Sequence, residues 1–325
     1  MSVPETSRPV VVVLYKDKLP VGMEPVEVAA EVRYARTEEL AEALQGADVL
    51  FLWDFFSSAL ADVWEHADSL KWVQVAAAGV DKLLFDGLRE SNVIVTNARG
   101  IFDRPIAEFV LGSILAFAKD IHGSVRRQER FEWEHRETER IDDQSVLIVG
   151  TGAIGREIAR LLKAVGMRVS GAGRAARDGD PDFGVVHSSS GLVDAVGSAD
   201  YLVNVAPLTD ATRNLIDADV LAALKPEARL INVGRGESVD TDALVSALQR
   251  GKLAGAALDV FETEPLPANH PLWRMHNVLV SSHMSGDAKG WLERLSVQFT
   301  DNFAHYIGDG KLSNVVDKKL GFVPQ

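Results

Sequence analysis

The chain has 325 residues, which at about 100–200 residues per domain predicts two domains and far exceeds what one hydrophobic core needs. Apolar residues make up 46% and charged residues 25%, proportions that exclude disorder, collagen-like repeats and coiled coil as the main architecture. A formal net charge of −13 opposes a nucleic-acid partner, and the absence of cysteine excludes a disulfide scaffold, a thiolate nucleophile and a zinc–thiolate site.

Taken in chain order, the N-terminus Met1-Ser2-Val3-Pro4-Glu5 carries an early acid, and the apolar run 10–15 is too short for the core of a signal peptide. The longest apolar helix candidate, 109–118, falls short of the roughly 20 residues that span a bilayer. A cytoplasmic protein with no membrane partner and no metal site is expected. Short β-branched runs then alternate with amphipathic segments, the signature of parallel α/β sheets. Strands are predicted at 10–14, 26–28, 49–53, 72–75 and 93–96, with helices at 37–44, capped by Thr37 and ended by Gly46, and at 58–66. A long helix, 105–122, and a charged, strand-poor stretch, 126–143, separate this series from a second one. The later strands are predicted at 146–149, 168–171, 201–205, 229–233, 256–260 and 278–282, with a final helix at 291–306. The expected fold is α/β: two Rossmann-like or flavodoxin-like parallel-sheet domains with a cleft between them.

The strand 146–149 runs directly into Gly150-Thr151-Gly152-Ala153-Ile154-Gly155 and then into a helical segment. G-x-G-x-x-G in that order is a dinucleotide fingerprint: Gly150 allows the tight turn, Gly152 lets the backbone approach a pyrophosphate, and Gly155 permits close helix–strand packing. The helix N-terminus then offers N–H groups and a partial positive charge to the anion. At the end of the next strand, where an NAD site carries an acid for the ribose hydroxyls, stands Gly173, followed by Arg174 and Arg177. Glycine makes room for a 2′-phosphate and guanidinium pairs with it, so NADP(H) is favoured and NAD(H) possible. A solvated basic turn with Asp178 or Asp180 reaching the ribose is the alternative.

Ligands of an open parallel sheet bind beyond the carboxyl ends of its strands. Those ends carry Gly234-Arg235-Gly236, then Asp259 with Glu262 and Glu264 beyond it, then His283-Met284-Ser285-Gly286. The set suits reduction of a carbonyl by hydride. Arg235 can clamp a carboxylate bidentately, His283 can supply the proton that a developing alkoxide needs, and Glu264 can stabilise its imidazolium. His66, His122, His270 and His305 are given no chemistry.

These residues together resemble the D-isomer-specific 2-hydroxyacid dehydrogenase family. The resemblance runs from about Trp72 to Gly286 and includes Ala78-Gly79-Val80-Asp81, residues 97–111, the glycine loop, and Ala206-Pro207-Leu208-Thr209 with Thr212 and Leu215. Asn232-Val233-Gly234-Arg235-Gly236, Asp259-Val260-Phe261-Glu262-Thr263-Glu264-Pro265 and His283-Met284-Ser285-Gly286 complete it. It implies that Arg235 binds and polarises the substrate, that His283 is the acid/base, and that Glu264 is its partner. It places the backbone of Ala78, Gly79 and Val80 at the substrate carboxylate and Pro207, Thr209, Val233 and Gly286 beside the cofactor. Asp259 would contact the nicotinamide carboxamide or tune the His–Glu pair. It further implies a discontinuous substrate domain, 1–98 plus 287–325, around a dinucleotide domain, 99–286, and a homodimer formed through the helix 105–122.

Two departures stand out. Ser282 occupies a place where the family often has proline, and Gly173-Arg174 replaces the acidic NAD signature, resembling the NADP(H)-using glyoxylate/hydroxypyruvate reductase branch. Trp133 lies where that branch places a tryptophan near the active site, or else serves packing. Trp53, Phe55 and Phe56 either form an apolar side-chain pocket or belong to a core. The implied activity is NAD(P)H-dependent reduction of a 2-keto acid to the D-2-hydroxy acid. The alternatives are a dinucleotide-sensing corepressor-like protein on the same fold and a formate-dehydrogenase-like enzyme.

Overall fold

A computed structural model describes residues 8–308 and 310–324. The chain divides into two compact units, 1–102 with 289–325, and 103–288. Each is built on its own parallel sheet.

In the first unit the strands are β1 (Val10–Leu14), β2 (Glu31–Ala35), β3 (Val49–Leu52), β4 (Trp72–Val75) and β5 (Ile94–Thr96), in the order β2-β1-β3-β4-β5, all parallel. β1, β3 and β4 are near-continuous apolar runs because both faces of an inner parallel strand are covered. The strand expected at 26–28 is instead a helix, Glu24–Ala29, with Pro25 in its first turn, and the edge strand is the polar segment that follows it. Thr37 does not cap its helix: Arg36 holds that position, and its backbone N–H donates to Glu39 Oε2 at 2.9 Å.

The C-terminal helix Trp291–Ile307 returns to this sheet. Phe299 stacks on Phe51 with ring centroids 4.0 Å apart and on Trp72 at 5.4 Å. Such pairs contribute about 0.5–1.5 kcal/mol beyond the area they bury, which is how a segment so distant in sequence is held to the unit. A buried polar chain joins the same elements. Trp72 Nε1 donates to Thr96 Oγ1 at 2.8 Å, and Thr96 Oγ1 and Asn302 Nδ2 both donate to Gln74 Oε1.

In the second unit the strands are β6 (Ser145–Val149), β7 (Arg168–Gly173), β8 (Arg177–Asp180), β9 (Gly184–Ser188), β10 (Tyr201–Asn204), β11 (Arg229–Asn232), β12 (Gly255–Leu258) and β13 (Val278–Val280). Their order is β13-β12-β11-β10-β6-β7-β9-β8, parallel except for the β8–β9 hairpin. Chain direction across the sheet reverses between β6 and β10, which is the switch point where open α/β sheets bind ligands. The helix expected at 105–122 is two helices, Asp103–Ala118 and Ile121–Glu129. Asp120 breaks them: it adopts a left-handed φ of 45°, accepts Gly123 N–H as an N-cap, and takes Arg136 Nε at 2.6 Å. Among the described residues no helix is long and apolar enough to cross a membrane, and no cluster of three metal-ligating side chains forms.

Candidate active site

The glycine loop lies at the switch point, between the end of β6 and the helix Ala153–Ala164. Gly150 adopts φ +109°, and a Cβ there would lie 2.8 Å from Ala206 N. A Cβ at Gly155 would sit 1.9 Å from Gly150 O, so the helix can approach the loop only without a side chain. Gly152 differs: it is exposed, and a Cβ on it would meet nothing within 4 Å. The helix N-terminus beyond it, at Ala153 and Ile154, has no side-chain cap. Backbone donors at an open, uncapped helix end fit a pyrophosphate, which would lie over Gly152 and take their hydrogen bonds.

Pro207 and Thr209 follow β10 in a loop closed on itself. Thr212 Oγ1 donates to Pro207 O at 2.6 Å and accepts Thr209 N–H at 2.8 Å. Beneath it lies a buried amide pair that sequence reasoning gave no role. Asn204 Nδ2 donates to Asn232 Oδ1 at 2.9 Å, and Gly234 N–H donates to the same oxygen at 3.1 Å. The pair spans the ends of β10 and β11, so the 207–212 loop and the Arg235 loop share one support. Val233 is buried beside it.

Arg235 leaves β11 in extended conformation and is half-buried, its Nη1 donating to Gly234 O at 2.8 Å. A Cβ at the next residue, Gly236, would lie 1.9 Å from Phe261 C, so this loop packs directly on the backbone beyond β12. That second loop carries Glu264. Its Oε1 accepts Phe261 N–H at 3.0 Å, which fixes the carboxylate, and its Oε2 lies 2.8 Å from His283 Nδ1.

Asp259 governs the third loop. It is 0% exposed, and its carboxylate accepts Ser281 Oγ at 2.6 Å, Met284 N–H at 3.0 Å and Ser285 N–H at 2.9 Å. His283 N–H donates to Asp259 O at 2.8 Å, and His283 itself sits at φ 53°, a left-handed conformation that a non-glycine residue adopts at a cost. Asp259 therefore enforces the backbone that points the imidazole at Glu264. Its enclosed oxygens are engaged within the loop, where they anchor the turn that carries His283. Gly286 is buried at the end of that loop.

Arg177 is exposed and turned onto Asp180, with Nε 2.9 Å and Nη2 2.8 Å from Oδ2, and Arg174 is exposed just beyond β7. The Asp180 carboxylate is held by Arg156 as well as by Arg177. Space at Gly173 is tight: a Cβ would lie 3.0 Å from Thr151 Oγ1.

In the first unit Ala78, Gly79 and Val80 follow β4. Asn97 Nδ2 donates to Ala78 O at 2.6 Å, and the Val80 side chain is buried in that unit's core. Trp53 is 7% exposed and donates Nε1 to Lys18 O at 2.8 Å, so it is core. Phe55 packs on the same core, against Trp291, while Phe56 is 49% exposed.

A fingerprint loop at a switch point, with an arginine, a carboxylate and an imidazole at three successive strand ends, defines a dinucleotide-dependent oxidoreductase. The sequence model of the D-isomer specific 2-hydroxyacid dehydrogenase, NAD binding domain, matches residues 111–285. The chain is 32% identical over 274 residues to a glyoxylate reductase of Aeropyrum pernix, covering 81% of each chain. Among solved structures it is similar to the NADPH-dependent glyoxylate/hydroxypyruvate reductase of Sinorhizobium meliloti in complex with NADP and sulfate. That match has TM-score 0.82 and 29% identity, and covers 97% of this chain and 100% of the other. A D-isomer specific 2-hydroxyacid dehydrogenase of Xanthobacter autotrophicus in complex with NADPH and MES matches with TM-score 0.81 and 29% identity, over 97% and 100%. The chain belongs to the D-isomer specific 2-hydroxyacid dehydrogenase family and is an oxidoreductase.

Proposed function

We propose that this protein reduces a glyoxylate- or hydroxypyruvate-like 2-keto acid, or a larger one, to the D-2-hydroxy acid, with NADPH preferred over NADH. The observation that carries the reading is the His283–Glu264 contact of 2.8 Å, held by Asp259 from one side and by Phe261 N–H from the other. The dinucleotide, when bound, supplies the hydride. Arg235 pairs with the substrate and polarises its carbonyl. His283, with Nδ1 committed to Glu264, acts as the imidazolium that Glu264 stabilises, delivers its Nε2 proton to the developing alkoxide and is left neutral; in the reverse direction it takes that proton back. Within the first unit, the backbone of the Ala78–Val80 turn suits a carboxylate. Pro207, Thr209, Val233 and Gly286 line the cofactor, and Arg174 pairs with its 2′-phosphate. The relatives named for glyoxylate reduction and the neighbour solved with NADP support the substrate class and the cofactor.

The same reading includes a homodimer formed through the second unit. Phe131 and Trp133 are 97% and 101% exposed on an irregular segment that is nonetheless pinned at its ends by Arg127–Glu134, Arg136–Asp120 and Arg229–Glu139. Two large aromatics held out on an ordered segment suit burial against a second copy.

The deciding experiment follows NADPH and NADH oxidation with hydroxypyruvate, glyoxylate, pyruvate and phenylpyruvate. Turnover that favours NADPH is expected. Tight dinucleotide binding with no turnover on any acid overturns the reductase reading in favour of a sensor.

A further inference from the structure

Beyond Arg174 the chain turns into the β8–β9 hairpin, and that hairpin contains an acid sealed from water. The Asp180 side chain is 3% exposed. It accepts Arg156 Nη1 and Nη2 at 2.9 and 3.0 Å, Arg177 Nε at 2.9 Å, and the N–H groups of Asp182 and Phe183 at 3.0 and 3.2 Å. Arg156 also reaches Asp182 Oδ2 at 2.7 Å, and Arg160, one helical turn on, takes Asp182 Oδ1 at 3.0 Å. The Arg156 guanidinium lies 5.5 Å over the Phe183 ring, and that ring packs where Gly171 of β7 lacks a side chain: a Cβ there would be 3.0 Å from it.

Arg156 and Arg160 project from the helix that begins at the glycine loop, and Asp180, Asp182 and Phe183 belong to the hairpin. One ion group thus ties the pyrophosphate end of the proposed cofactor site to the turn that carries Arg174. Enclosing a carboxylate is costly unless its partners are complete, as they are here, and fixing one geometry is a recognised return on that cost.

We propose that Asp180 is a positioning residue for dinucleotide choice. It draws Arg177 and the residue 174–180 turn against the helix, so that Arg174 meets a 2′-phosphate with its backbone already ordered. This rests on the reading of Arg174 as the 2′-phosphate partner, and deepens it. Removing the carboxylate has two opposed consequences. Loss of a negative charge near the phosphate favours NADPH by Coulomb attraction, while loss of order makes Arg174 bear the entropy of immobilisation at binding. The proposal requires the second to win.

The test measures Kd for NADPH and NADH by fluorescence with wild type, Asp180→Asn and Arg174→Ala, together with hydrogen exchange of residues 174–183. Asp180→Asn is expected to weaken NADPH binding by about fivefold to tenfold relative to NADH. Exchange across the turn should quicken at the same time. Should that variant fold poorly, Arg177→Gln, which keeps the Arg156–Asp180 pair, is expected to shift the ratio in the same direction. An unchanged or increased NADPH preference in both variants, with Arg174→Ala still losing it, overturns the positioning role and leaves the Arg174 reading intact. No change in the ratio for Arg174→Ala overturns both. Equal weakening of NADPH and NADH by Asp180→Asn marks a merely structural residue and overturns the proposal.

Discussion

His283 Nδ1 lies 2.8 Å from Glu264 Oε2, although the two residues come from loops that follow different strands. The contact orients the ring and leaves Nε2 as the nitrogen turned away from Glu264. His283→Ala is expected to lower kcat by about 10²–10⁴-fold, the usual contribution of a general acid, while leaving dinucleotide affinity within a few-fold. Steady-state kinetics beside a fluorescence titration separates the two. Near-normal turnover would remove His283 from the mechanism.

Asp259 holds that histidine from behind, and its removal leaves Ser281 Oγ and two backbone N–H groups without an acceptor. Each unsatisfied buried donor costs about 1–3 kcal/mol. Asp259→Ala should therefore lower Tm by several degrees and reduce kcat together, because the left-handed backbone at His283 loses the bonds that enforce it. Thermal melts with intact activity below the transition would show that the loop holds its shape unaided.

The positions of the candidate site residues at strand ends are legible in sequence wherever chemistry fixes residue and spacing at once. The glycine loop follows β6, and Arg235, Glu264 and His283 follow three neighbouring strands. What was hidden depended on context. The segment 26–28 has β-branched residues but folds as helix Glu24–Ala29, and the true edge strand, Glu31–Ala35, mixes Glu31 and Arg33 with apolar residues because an edge needs no apolar face on both sides. The hairpin Arg177–Asp180 with Gly184–Ser188 lacks strand periodicity and is held by ion pairs to the helix Ala153–Ala164. Asn204 and Asn232 are unremarkable singly, and only the register that sets them side by side reveals a shared support.

The glycines of the loop make separable demands. A methyl on Gly155 collides with Gly150 O at 1.9 Å, whereas one on Gly152 enters open space. Gly155→Ala should destabilise the ligand-free protein by more than about 1–3 kcal/mol, the usual cost of overpacking, because the clash is with backbone. Gly152→Ala should melt like wild type yet lose at least tenfold in dinucleotide affinity, since the methyl occupies the approach of the pyrophosphate. Equal melting temperatures for both variants would contradict the packing assigned to Gly155.

Phe131 and Trp133 predict an assembly state. If the second unit mediates a homodimer, the Phe131→Ser/Trp133→Ser pair should shift the mass measured by light scattering from two chains towards one. Their near-complete exposure means that neither change should lower the melting temperature of the isolated chain. A monomeric wild type refutes the dimer directly.

Asp180 also sets a pH dependence. The Arg156 guanidinium first, and then Arg177, hold its carboxyl far below the ordinary carboxylate range, against the opposing effect of burial. For a group whose folded pKa is depressed, the stabilisation is complete above the unfolded value, about 3.9, and is lost as pH falls towards the folded one. Asp182 adds to the same limb: burial works against it, yet Arg156 and Arg160 keep it low as well. The wild type should therefore exceed Asp180→Asn in Tm at pH 6 to 7, with the gap narrowing as the pH drops through about 4 to 3. Differential scanning calorimetry over that range reads the gap directly, and a gap that stays constant would mean that the carboxylate is not held low by its arginines.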